Sequence, residues 1–356
     1  MTSERRNEAS LVVGTVTHKG WTDLSVSRSM ESLAASFDVL FTERWSEKEE
    51  PIPIRKGDKC RMNLDGETVV KGYIDSVPRG YDATQHGLRA SGRALGDLVD
   101  CSSIYKKGRW KNQGLLTIAK NLCEPFSIEV STEVSLGEPF ETFAIQDGES
   151  VFETLERACR MRGVIMQATP ENALVFVNVG RYTTRTVLEF GKNILSANAE
   201  SSDVDRYSEY ILKTQARGTD GSYGKNVAHP RSRVEDKGIT RYRPLVVHAD
   251  SQGTSTGLKT RATWEMNVRA GRSERVTYRV AGWYCEEGLW KPNTLVQVRD
   301  PYIEINGELL IVGVTNTKGE QGTFTDLELC RKEAMTLEPL VSKPKGKKTS
   351  FHKGTS

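Results

Sequence analysis

The chain has 356 residues, with 50 Lys and Arg against 47 Asp and Glu, and a formal charge of +3. So balanced a charge gives no general argument for nucleic acid, which would want basic residues concentrated on one face or one segment. The length exceeds one ordinary core and predicts two to four domains, while 37% hydrophobic and 27% charged residues describe a globular chain.

Residues 1–10 are polar and read as a frayed end. They lack the apolar stretch of a signal peptide, so the protein is expected to stay where it is made. No run approaches the roughly 20 apolar residues needed to cross a bilayer. Strands follow at Val12–Thr17, at Leu24-Ser25-Val26 and at Phe37–Phe41, where Phe37, Val39 and Phe41 recur at every second position. The charged run Glu43–Glu50 and the Pro51-Ile52-Pro53 step read as a solvated turn rather than as paired catalytic carboxylates.

Next comes Asp65-Gly66-Glu67-Thr68-Val69-Val70-Lys71-Gly72-Tyr73. Asp-Gly followed by alternating residues is a hairpin signal, because a two-residue type I′ turn needs positive φ at both central positions. The pattern returns as Asn306-Gly307-Glu308-Leu309-Leu310-Ile311-Val312-Gly313-Val314, with both glycines at the same spacing. Flanking segments match as well. Lys59-Cys60-Arg61-Met62 parallels Leu295-Val296-Gln297-Val298, and Phe37, Val39 and Phe41 parallel Val276, Tyr278 and Val280. Trp45 parallels Trp283, and Leu88-Arg89-Ala90 parallels Leu327-Glu328-Leu329. One β architecture therefore occurs twice, with structural turns at Asp65, Gly66 and Gly72 and at Asn306, Gly307 and Gly313.

Between the copies the texture changes. Leu115–Cys123 predicts a helix ended by Glu124-Pro125, and Phe126–Val130 a strand. Ser150 with Glu153 forms a capping-box pattern that opens a second helix, which Gly163 closes. Strands Val164–Ala168 and Ala173–Val179 flank Pro170-Glu171-Asn172. The expected fold is mixed β and α+β, with a first antiparallel barrel or small sandwich over 1–97 and a small α/β domain over 98–185. A second barrel is expected over 186–340, interrupted by an inserted loop and helix at 217–272, and the basic tail 341–356 is expected to be disordered. Within the second barrel the sequence predicts strands at Tyr207–Thr214 and Tyr242–His248, a loop over Arg217–Gly238 and a helix over Thr256–Gly271.

Patterns for chemistry are sparse. Gly253-Thr254-Ser255-Thr256-Gly257 fits a nucleophile elbow, but Asp250-Ser251-Gln252 separate it from the strand and the only later histidine is His352 in the tail. Gly218, Gly221, Gly224 and Lys225 echo a phosphate loop without its first glycine or its Ser/Thr. Histidines 18, 86, 229, 248 and 352 have no metal-ligand spacing. Six cysteines without a C-x-x-C pair read as free, mostly buried thiols. Arg261, Arg269, Arg272, Arg275 and Arg279 make one locally basic stretch, read as a solvated face or, alternatively, as a phosphate-binding stripe.

Asp147-Gly148-Glu149-Ser150-Val151-Phe152-Glu153, Arg241-Tyr242-Arg243-Pro244-Leu245, Arg261-Ala262-Thr263-Trp264-Glu265 and Val268-Arg269-Ala270-Gly271-Arg272-Ser273 resemble the baseplate hub proteins of contractile phage tails. The resemblance is nearest to the Mu-like hubs. The T4 hub and the N-terminal part of type VI secretion spike proteins are more distant. It covers about Leu11 to Leu337. It implies a homotrimer of two tube-like barrels and α/β domains, placed in the virion baseplate after assembly in the host cytoplasm. The tail tube protein, the trimeric tail spike protein and other baseplate proteins would be its partners, and the genome would pass transiently through its lumen. It implies no catalytic residues, cofactor or metal. A nucleic-acid-binding module using 261–279 and a serine hydrolase using Ser255 are the alternatives.

Overall fold

The computed structural model describes residues 7–43, 53–81, 86–106, 108–213, 231–248 and 255–337. In chain order the strands are β1 Ala9–Val13, β2 Val16–His18, β3 Asp23–Ser29, β4 Ser36–Glu43, β5 Lys59–Leu64, β6 Glu67–Ser76, β7 Arg79–Tyr81 and β8 His86–Arg93. Helix α1 Gly96–Asp100 leads to β9 Arg109–Gln113, α2 Leu115–Cys123, β10 Val130–Thr132, β11 Phe140–Ala144, α3 Val151–Arg160, β12 Ile165–Ala168 and β13 Leu174–Val177. Then follow β14 Tyr182–Glu189, β15 Ile194–Ser201, β16 Glu209–Lys213, β17 Arg231–Glu235, β18 Pro244–His248 and α4 Ser255–Arg272. The chain finishes with β19 Glu274–Ala281, β20 Tyr284–Cys285, β21 Gly288–Leu289, β22 Thr294–Asp300, β23 Ile305–Gly319 and β24 Gly322–Cys330.

The described residues form two compact units, one within 7–206 and 267–337, the other within 207–266. In the first, a 14-stranded sheet contains the same strand order twice. One copy reads β3-β4-β8-β6-β5-β1 and the other β15-β19-β24-β23-β22-β14. All pairings are antiparallel except β14 with β22, which is parallel where β1 with β5 is antiparallel. Alternation explains the burial: Phe37, Val39 and Phe41 point into one core while Asp38 and Leu40 point away. Leu11, Leu24, Val26, Met62, Leu64, Val70 and Ile74 meet them there, so the first copy curls around a single core. The second copy does the same around Tyr278, Val296, Val298, Ile311 and Leu327. The curl is not a closed barrel ladder: among the described residues the sheet's main path ends at β2 and β15, with β14 and β7 ending its side branches.

The copies are joined through β3 and β23, paired antiparallel from Gly313 with Ser29 to Lys318 with Leu24. Arg28 reinforces the joint, its Nη2 donating to Trp290 O and to Asn316 Oδ1, each at 2.9 Å. Burial pulls the Arg28 pKa down to about 10.

The segment between the copies forms its own core. α2 buries Leu115, Ile118, Ala119 and Leu122, and α3 buries Val151, Leu155 and Ala158, against Leu174 and Phe176 of β13. Ser150 caps α3 as its sequence predicts, its hydroxyl accepting from Glu153 N while its own N–H donates to Glu153 Oε2 at 2.8 Å. Gly163 follows with φ 66 and Asn172 turns the β12–β13 hairpin with φ 64. The strand expected over Phe126–Val130 starts only at Val130. Pro125 fits the first positions of a 3-10 turn, Glu124–Phe126, and Ser127 leaves it in the left-handed region.

In the second unit β17-β16-β18 make a three-stranded sheet. Tyr210 and Leu212 of β16 are fully buried, and Leu212 packs with Leu258 and Ala262 of α4. Arg231–Glu235, read from sequence as part of a loop, is therefore a strand, paired along its length with β16. Val12–Thr17 is likewise two strands, because Gly14 at φ 59 turns the chain between them. The tail expected to be disordered and Trp45 lie outside the described residues. No described helix is long and apolar enough to cross a membrane.

Candidate assembly surface

The first hairpin is a two-residue turn between β5 and β6. Asp65 has φ 47 and Gly66 φ 83, the pair of positive values that type I′ requires. Asp65 also anchors the chain start, accepting from Glu8 N at 2.6 Å and donating its own N–H to Glu8 O at 2.7 Å. Gly72 sits where β6 crosses close to β8: a Cβ there would lie 1.9 Å from Arg93 O.

The second hairpin departs from the sequence reading. Asn306 and Gly307 are not its turn: they lie inside β23, paired with Arg299 and Val298 of β22. The chain reverses earlier, through Pro301–Glu304, with Glu304 at φ 58. Asp300, 1% exposed, sets this up, its Oδ1 accepting from Tyr302 N at 3.0 Å and Ile303 N at 3.3 Å, a local bond that competes with the ladder. Gly313 follows a bulge in the β23–β24 ladder, and a Cβ there would meet the Glu328 carboxylate at 2.9 Å.

Two further surface features had little sequence signal. Phe190 and Tyr302, 53% and 82% exposed, stack with ring centroids 6.3 Å apart. They crown the β14–β15 and β22–β23 turns, tied by Phe190 N donating to Arg299 O at 3.0 Å. An exposed stacked pair is contact surface of the kind that interfaces use. β15 is the other feature, an edge strand whose residues from Leu195 to Ser201 are all exposed. Its Ser-Ala-Asn-Ala run lacks apolar alternation, so periodicity could not find it. Its likeness in position to β3 is the signal that could.

The alternative chemistries find little support. In the basic stretch, Arg269 donates to Asp205 O, Arg272 to Ala334 O and Arg279 bidentately to Asp326 at 2.7 Å, while Arg275 pairs bidentately with Glu31. Carboxylates offset the charge of Arg275 and Arg279, whereas Arg269 and Arg272 are positioned by neutral carbonyls and keep theirs. Ser255 is the first residue of α4, and the elbow residues before it, like the phosphate-loop glycines and Lys225, lie outside the described residues. Among the described residues no group of three His, Cys, Asp or Glu could hold a metal ion. Cys101 is exposed and the other five cysteines are buried and free.

Among the described residues His18 has a clear energetic role. It is buried against the edge of Phe41, its Nε2 enclosed without a partner, and burial lowers its pKa. The unfolded chain takes up this proton near pH 6.5, the folded chain only lower, so stability falls as pH drops through that window. Thermal melts are expected to be lower at about pH 5 than at pH 7.5, with His18→Phe reducing the difference. An unchanged difference in the variant would assign the effect elsewhere.

Comparison with known proteins places these features. Residues 8–94 match the Mu phage baseplate assembly protein GpP-like N-terminal domain, 95–178 the second domain of gp44-like baseplate hub proteins, and 254–338 the fourth domain of Mu GpP. The baseplate hub protein gp44 of Escherichia phage Mu is 34% identical over 340 residues, covering 92% of this chain and 89% of that protein. The 43 kDa tail protein of prophage MuSo2 from Shewanella oneidensis superposes with a TM-score of 0.83 at 31% identity, over 93% of this chain and 99% of that one. An E. coli component of the type VI secretion system, described as structurally similar to the T4 tail proteins gp27 and gp5, shares the fold at TM-score 0.58 and 11% identity, over 94% of this chain and 80% of its own. With a duplicated β architecture and a relative of this identity along nearly its whole length, the chain belongs to the Mu-type phage baseplate hub protein family.

Proposed function

We propose that three copies of this chain form a ring that adapts a sixfold tail tube to a threefold spike, with a lumen through which DNA passes. The observation that carries this is the strand order repeated within one chain, since three chains then present six similar β units around an axis. In this reading residues 1–97 and 186–340 supply the tube-like parts, 98–185 the α/β part between them, and 217–272 an insertion, with the tail 341–356 beyond. Asp65, Gly66 and Gly72 keep the first hairpin in shape and Gly313 the β23–β24 ladder, and the role is structural rather than enzymatic. Assembly takes place in the host cytoplasm, and other baseplate proteins bind the outer surface.

Sedimentation of the purified chain, alone and with its trimeric spike partner, tests the reading. A trimer is expected in at least the second mixture, with electron-microscopy averages that look sixfold end-on. A monomer in both, over the whole accessible concentration range, would overturn it.

A further inference from the structure

The ladder between β3 and β23 uses one edge of each copy, and the same chain carries both edges a second time. β15 stands beside β19 as β3 stands beside β4. On its other side β15 carries no strand among the described residues, and Leu195 is 54% exposed. An edge strand with both faces in water gains little from packing, and its open row of N–H and C=O groups is a template for another strand.

The counterpart of the β23 flank is the stretch from Ser76 to Tyr81, the end of β6 and all of β7. It lies along β8 as Gly313–Lys318 lies along β24. Ser76, Pro78 and Gly80 are exposed. Pro78 does not block pairing there. Its carbonyl accepts from Arg89 N at 3.0 Å, so its nitrogen, on the same side of the strand, also faces β8.

We propose that β15 of one chain adds antiparallel to the Ser76–Tyr81 stretch of the next copy, repeating between chains the ladder that β3 and β23 make within one. The internal ladder sets the register. Val26 lies opposite Phe37 on β4, as Ala199 lies opposite Val276 on β19. Phe41 faces Leu88 where Val280 faces Thr325, so Leu88 answers to Thr325, two residues before the Leu327 match expected from sequence. Asn316 lies opposite Thr325 on β24, as Arg79 lies opposite Leu88 on β8. Because Val26 pairs with Asn316, Ala199 pairs with Arg79 of the next copy and Ser201 with Val77 of the next copy. The contact is head-to-tail, so it closes into a ring or grows open according to its rotation. It rests on the trimer reading above only for the number of chains in the ring.

Disulfide trapping tests it in the full chain with Cys101→Ser as background. Val77→Cys is combined in turn with Ala199→Cys, Ser201→Cys and Asp203→Cys, and oxidised with copper phenanthroline under conditions that give a trimer by sedimentation. Residues opposite each other across antiparallel strands are within disulfide reach. The expected result is a covalent trimer from Val77→Cys with Ser201→Cys, weaker trapping from the other pairs, and none from single variants. Open covalent chains of two, four and more copies would support the ladder while overturning closure at three. A trimer that no pair traps would overturn the ladder and leave the trimer standing. A monomer, alone and with spike, overturns both. Amide exchange on the unmodified chain gives an independent reading: Leu195–Ser201 is expected to slow on trimer formation, and unchanged exchange there counts against the ladder.

Discussion

Gly72→Ala is expected to destabilise the protein by about 3 kcal/mol or more, because the added methyl has nowhere to go. Its Cβ would lie 1.9 Å from Arg93 O, 2.7 Å from Arg93 C and 3.0 Å from Ala94 Cα, all backbone, so no side-chain rotation relieves the overlap. Gly92 on the facing strand makes the same demand, its Cβ meeting Tyr73 O at 2.3 Å. The two glycines let β6 and β8 approach closely, and a bulge between Ile74 and Ser76 follows at once. The other glycines of the repeated motif calibrate the result. Gly66→Ala meets no atom but keeps φ +83, and should cost about 1 kcal/mol through strain alone. Gly313→Ala meets the end of the Glu328 side chain, which can move, and should cost a similar amount. Gly307→Ala has open space and no left-handed φ, and should be nearly neutral at a few tenths of a kcal/mol. Denaturant titrations of the four variants give the ranking. A Gly307→Ala variant as damaged as Gly66→Ala would restore the turn to Asn306-Gly307.

That series marks where the sequence was readable. Asp65-Gly66 is a turn because nothing nearby competes. Asn306-Gly307 carries the same chemistry but loses to Asp300-Pro301 upstream, where a buried carboxylate captures two amides and proline ends the ladder strand. Local propensity names a set of permitted turns, and the surrounding hydrogen bonds choose among them. The cores were legible wherever one face is buried, as in Phe37, Val39 and Phe41, and the Ser150 cap was legible because it is wholly local. β15 was not, since a strand exposed on both faces has no periodic burial to imprint on its sequence. The assembly surface left the weakest mark for the same reason. The arginines of 261–279 were visible as charge, but their partners Glu31, Asp326 and Ala334 come from distant parts of the chain, and only the fold reveals that they are already engaged.

Trp283→Ala is expected to cost about 3–5 kcal/mol, and to weaken the copy to which Trp283 does not belong by sequence. Trp283 follows β19, after Gly282 at φ 70, yet its fully buried ring joins the core of the first copy with Leu24, Val26 and Phe37. Leu289 of β21 joins it there, whereas the next residue, Trp290, packs into the second core. The indole Nε1 donates to Thr317 O at 3.1 Å, so truncation also strands an acceptor beside the β3–β23 ladder, worth about 1 kcal/mol more. The repeated units are thus not two independent domains on a string, since Trp283 and Leu289 complete the first core and Arg28 of β3 reaches Trp290 O and Asn316 across the joint. Native-state amide exchange separates the alternatives. If the shared core is real, Trp283→Ala accelerates exchange in β3, β4 and β8 of the first copy together with β19 and β23 of the second. Acceleration confined to β19–β24 would mean that the copies unfold separately and that Trp283 stabilises only its own.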